Sequence, residues 1–135
     1  MFEKYRILVL SKAKLTPLKL EKALKSANLP DCQEIFVFKY EPNLGWLFKL
    51  VFKENQEIKL RYDNYEALSG ESKELAENYA SSKMINKIAR CKCHIMVFGT
   101  DNPNIYMMEK YDSILKIFEG MDGVFIFDSV QKEFY

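Results

Sequence analysis

From residue 34 to residue 62 the hydrophobic and polar positions alternate: EIFVFKY, then WLFKLVFK, then EIKLRY, separated by EPNLG and by the polar KENQE connection. A period of two belongs to strands with one buried face, so this stretch predicts three antiparallel strands. Trp46, Phe48, Leu50 and Phe52 share one face, and Leu47, Lys49, Val51 and Lys53 share the other. In the next strand Ile58, Leu60 and Tyr62 oppose Glu57, Lys59 and Arg61. One side of this sheet meets the core and the other meets solvent.

Outside this region the pattern changes. YRILVLS, residues 5–11, is continuously apolar at its centre and reads as a buried strand. Thr16-Pro17 supplies an N-cap and a first-turn proline, after which Leu20, Ala23, Leu24 and Ala27 mark one face of a helix ended by Asn28 to Asp31. Ser69 to Arg90 predicts one long helix with Ala76, Ala80, Met84 and Ile88 in an i+4 row. Its acids Glu71, Glu74 and Glu77 precede its bases Lys83, Lys87 and Arg90, which complements the helix dipole.

CKCHIMVFG then enters a strand, and GTDNPN makes a turn. A third helix, Ile105 to Glu119, carries Met107, Tyr111, Ile114, Leu115 and Phe118 on one stripe and closes at Gly120. GVFIFD is a last buried strand, with SVQKEFY as a tail or a short paired edge. The expected architecture is an α+β single-domain sandwich over residues 1–135: a mixed, largely antiparallel sheet with about three helices on one face.

Charge narrows the function classes. The 20 Lys and Arg nearly cancel the 19 Asp and Glu, so no global field draws the chain to nucleic acid or anionic lipid. The longest apolar runs, such as Ile7 to Leu10 and Ile95 to Phe98, are far too short to cross a bilayer. The N-terminus lacks a signal-peptide pattern, and three cysteines, an odd number, suit a reducing compartment. A cytoplasmic protein is expected.

Cys91, Cys93 and His94 are the first candidates for chemistry, because zinc takes thiolate and imidazole ligands. On a strand, however, the two cysteines point to one side and His94 to the other, and only Cys32 remains as a third sulfur. No metal site is expected. The same geometry separates Cys93 from His94 as nucleophile and base. The five glycines, at 45, 70, 99, 120 and 123, form no phosphate-binding loop, so no nucleotide or other cofactor is expected.

Acidic residues accumulate at Asp63, Glu66, Glu71, Glu74 and Glu77, flanked by Tyr62 and Tyr65. They read either as a solvated face with a dipole-matched helix start or as an acidic surface for a basic partner protein. Tyr79 and Tyr106 are further aromatic anchors to inspect. The N-terminal lysines and Arg6, with Phe36, Phe38, Trp46 and Phe48 on strands nearby, suggest a nucleic-acid surface, but no glycine-aromatic string of an RNA-binding sheet is present and these aromatics alternate as core residues should, so this class is disfavoured. Self-association stays open.

The second half, HIMVFGTDNPNIYMMEKYDSILKIFEGMDGVFIFDSVQKEFY, resembles in layout the C-terminal part of small bacterial immunity-type proteins of toxin systems. It shares a strand, an Asp/Asn-rich turn, an amphipathic helix, then a strand ending in an aromatic-Asp pair and an aromatic tail. The resemblance covers residues 94 to 135 and is one of layout, without a diagnostic string. It implies a cytoplasmic protein that binds and neutralises a toxin and has no catalysis of its own. The alternatives are a small enzyme with an unmarked pocket, using His94 or the acidic cluster, and a nucleic-acid-binding domain.

Overall fold

In the first strand, β1 (Lys4–Ser11), Ile7 and Val9 join one hydrophobic cluster while Leu8 and Leu10 join another. Adjacent side chains on a strand point to opposite faces, so this strand is buried on both sides and its continuous apolar run is explained. The computed structural model describes residues 4–11, 15–39, 45–63, 68–99 and 105–135.

The predicted three-stranded meander forms as β2 (Cys32–Lys39), β3 (Trp46–Phe52) and β4 (Glu57–Asp63), with α1 (Pro17–Ser26) before it. Thr16 caps α1 by accepting a hydrogen bond from the Lys19 N–H, with proline in the first turn as expected. After β4 come α2 (Leu68–Tyr79), α3 (Ile85–Ala89), β5 (Cys93–Gly99), α4 (Ile105–Glu119), β6 (Val124–Asp128) and β7 (Glu133–Phe134). SVQKEFY thus ends as a short paired edge, with Phe127 opposite Phe134.

Among the described residues seven strands lie in one sheet, in the order β2-β3-β4-β5-β1-β6-β7, and every pairing between them is antiparallel. The class is α+β, but the sheet is antiparallel rather than mixed. The helices also occupy both faces instead of one. Leu20 and Leu24 of α1 and the α4 stripe Met107, Tyr111, Ile114, Leu115 and Phe118 pack with Phe48, Leu50, Ile58 and Ile95. Ala76 of α2 and Ile88 of α3 pack on the opposite face, with Leu8, Leu10 and Phe127.

The expected single helix from Ser69 to Arg90 is two helices. The break falls at Ala80 to Met84, where the polar pair Ser81-Ser82 offers little helix propensity and Met84 N–H donates to the Ser81 carbonyl three residues back. The apolar row survives it: Ala76 and Ile88 are buried, with Ala80 and Met84 packed against the same cluster. The two pieces pack against each other, and the end of α3 returns to the start of α2, where Ser72 Oγ meets the Cys91 carbonyl.

Candidate functional site

His94 is the second residue of β5, and alternation directs it away from the Ile95 core, toward α2. It pairs in register with Leu10 on one side and Asp63 on the other. At 2% exposure it is nearly sealed, and burial holds its pKa down to about 4 from the usual 6.5, so the ring is neutral.

One turn into α2, Ser72 is fully buried above this ring. Its Oγ lies 2.7 Å from His94 Nε2 and 2.7 Å from the Cys91 carbonyl oxygen. A hydroxyl has a single proton, and a carbonyl can only accept. Ser72 therefore donates to Cys91 and accepts from the His94 Nε2–H, which places the imidazole lone pair on Nδ1. Glu71 Oε2 lies 3.8 Å from Nδ1, too long for a hydrogen bond.

Glu71, Glu74, Leu75, Asn78 and Tyr79 of α2 form one wall of an open cleft of about 430 Å³, Leu8, His94, Met96 and Phe127 of the sheet make its floor, and Lys132 also lines it. The wall is braced aromatically, with the Tyr79 ring 5.2 Å from Phe127 and Phe127 4.9 Å from Phe134. Glu71 and Glu74 are exposed at its rim. The arrangement can receive a positively charged or hydrogen-bond-donating group over an apolar floor.

The sequence-predicted site residues separate. Glu71 and Glu74 meet at the cleft, whereas Glu77 is exposed on α2 outside its lining. Tyr62, at 4% exposure, belongs to the core on the other face of the sheet, and Asp63 is fully buried. Neither is presented to a partner. The Asp63 carboxylate instead holds Arg61 Nε at 3.0 Å; burial raises its pKa while Arg61 opposes the rise. Tyr65 and Glu66 lie outside the described residues. Of the other tyrosines, Tyr79 is exposed and Tyr106 is half-buried beside Lys110.

The cysteines also depart from expectation. Cys91 and Cys93 fall on opposite sides, because the strand starts only at Cys93 and Cys91 still belongs to the turn after α3. Cys91 N–H donates to the Ile88 carbonyl, while Cys93 is buried against the α1 side. Burial pushes the Cys93 thiol up to about 12, which leaves it protonated and inert. All three cysteines are free thiols. Among the described residues no three His, Cys, Asp or Glu side chains gather as metal ligands, and no helix is long and apolar enough to cross a membrane.

Sequence reading overlooked Ser72, Asn78 and Lys132. For Ser72 a signal existed: the row Ala76, Ala80, Met84, Ile88 extends backward by fours to Ser72 and Leu68, and both are fully buried. Lys132 carried none, since it reaches the cleft only through the turn between β6 and β7. Comparison of the chain with protein-family models, curated proteins and solved structures finds no match, so the reading of the site rests on its own geometry.

Proposed function

We propose that this chain is a binding protein without chemistry of its own, of the immunity type, which recognises a toxic partner protein and neutralises it by occupying its surface. The observation that carries the reading is the pair of exposed carboxylates, Glu71 and Glu74, on the rim of a cleft with an apolar floor. A charged rim around an apolar centre is the anatomy of a protein interface. Both carboxylates sit on a helix anchored by Ala76 and Ser72, so the backbone that presents them is already ordered. The layout resemblance of residues 94–135 to immunity-type proteins points the same way.

The test is capture from the native cell with the chain as bait, alongside a Glu71→Lys, Glu74→Lys double variant. A stoichiometric protein partner held by the native chain and lost by the double variant is expected. Loss of the gene should expose the cell to that partner's toxicity. Recovery of no such partner, together with an unaffected deletion strain, removes the reading.

A second reading, a small hydrolase, has the order Ser72, His94, Glu71 in its favour. Its weakness is proton direction: the Ser72 hydroxyl donates to the Cys91 carbonyl and not to the imidazole, so the base that would activate a nucleophile is turned the wrong way. Covalent labelling of Ser72 by a fluorophosphonate would establish this second reading and sink the first.

A further inference from the structure

We propose that the gap between His94 Nδ1 and Glu71 Oε2 seats a cationic nitrogen, the ammonium or guanidinium of a basic side chain on the partner, with its alkyl stem lying along Leu75, Met96 and Phe127. This rests on the partner-binding reading and names the chemistry that the cleft selects.

The geometry leads there through proton counting. Nε2–H is committed to Ser72, whose own proton is committed to Cys91, so Nδ1 is a lone pair. It faces a carboxylate oxygen 3.8 Å away. Two acceptors directed at one space repel unless a donor stands between them. A nitrogen about 2.8 Å from each closes that triangle with charge-assisted bonds.

The floor atom is held in place, since a ring at 2% exposure fastened to Ser72 has little freedom. The rim atom is free to adjust, because the Glu71 side chain is 56% exposed. Glu74 adds a second negative charge to the same rim, and Asn78 an amide oxygen. The ligand sought is therefore a cation with several N–H donors. The two acceptors alone are too few for a transition metal, and no third His, Cys, Asp or Glu gathers with them among the described residues. Below the rim, Leu75, Met96 and Phe127 are apolar and suit a chain of methylenes, as the stems of lysine and arginine provide. At about 430 Å³ the cleft lies within the usual range of small-ligand sites.

His94 is the only histidine in the chain, so its ring nitrogens give an unobstructed nitrogen-15 signal in the intact protein. The probes are n-butylammonium and n-butylguanidinium, with n-butanol and butyrate as neutral and anionic counterparts, at a pH where the ring is neutral. Before addition, Nε2 should carry the proton. Either cation should then shift Nδ1 with little change at Nε2, saturably, while n-butanol and butyrate do not. Glu71→Gln should weaken cation binding by about tenfold or more, the loss expected when a charged acceptor is removed. Glu77→Gln, on the same helix but outside the cleft, should leave it unchanged.

A protonated Nδ1 in the free protein, the absence of a shift with either cation, or an equal shift with n-butanol overturns the proposal. Its failure is separable from that of the partner-binding reading. Saturable cation binding without any protein partner in the cell keeps the site and removes the function. A toxic partner whose affinity is indifferent to Glu71→Gln keeps the function and overturns the site.

Discussion

Ser72 Oγ stands 2.7 Å from His94 Nε2 across a separation of 22 residues, and this one contact fastens α2 to the face of β5. Both side chains are buried, and the same hydroxyl satisfies the Cys91 carbonyl at the end of the α3 turn. Ser72→Ala therefore takes the acceptor from the buried His94 Nε2–H and one donor from the Cys91 carbonyl. A loss of about 1 to 3 kcal/mol is expected, read from the urea midpoint at neutral pH. A loss under about 0.5 kcal/mol, the range of ordinary surface changes, would contradict the assigned proton arrangement.

The neutral His94 also makes stability depend on pH. Its folded-state pKa, about 4, lies below the unfolded value of 6.5, so the unfolded chain binds the extra proton first. The stability is fully present above pH 6.5 and is lost as the pH falls toward 4, by about 3 kcal/mol over the whole interval. Glu71, Glu74 and Lys132 share the cleft with this ring, and Asp63, whose pKa is raised, works in the opposite sense at the acidic end. In His94→Gln the amide nitrogen takes the place of Nε2 but cannot titrate. Urea midpoints across this range should fall more steeply for the native chain than for the variant; parallel curves would refute the neutral ring.

Gly45 shows where the backbone leaves no choice. Its φ is +106°, and a Cβ there would overlap the Tyr62 carbonyl oxygen and stand 2.6 Å from Asp63 Oδ1. Gly45→Ala should cost about 3 kcal/mol or more by chemical denaturation, since strain and collision add. Gly70 is the control: it lies in α2 with open space around a built Cβ, so Gly70→Ala should stabilise by about 0.5 to 1 kcal/mol.

On the other face of the sheet, Lys110 is buried to 5% exposure with its Nζ 3.4 Å from Asp31 Oδ2 and 4.6 Å from the centre of the Tyr106 ring. Asp31 also takes Lys53 at 3.1 Å, and that bond is the main reason its carboxyl pKa is lowered. Asp31→Asn leaves a buried ammonium without its counter-charge while tolerating the left-handed φ of 63°. Asp31→Asn is expected to lower the melting temperature more than Lys110→Met, which removes the buried charge itself. Thermal denaturation of the two variants checks the order.

Much of the fold was legible because side-chain alternation is local. The period of two assigned Phe48 to the core, where it is fully buried; Phe36 and Phe38, read as core aromatics with it, are instead 40% and 50% exposed on the opposite face of the sheet. The α4 stripe was read residue by residue for the same reason. The helix break at Ser81-Ser82 was harder, because the apolar row continues through it in the same phase. Of the acidic and aromatic residues singled out in the sequence, Glu71 and Glu74 line the cleft, whereas Asp63 and Tyr62 are buried. The last two residues of β4 are polar enough to look like a surface, yet Gly45 and the neighbouring strand close over them.

By itself the sequence determined the strands, three of the helical segments, the face each presents, and the absence of a global charge, since these depend on spacing and composition within a few residues. Only the tertiary structure decided that helices cover both faces of the sheet. It alone seats Ser72 on His94, turns Cys91 and Cys93 apart, and brings Lys132 to the same cleft as Glu71 and Glu74. Except for the two cysteines, parted by where β5 begins, those relations join residues tens of positions apart, and chain periodicity carries no information about which faces will meet.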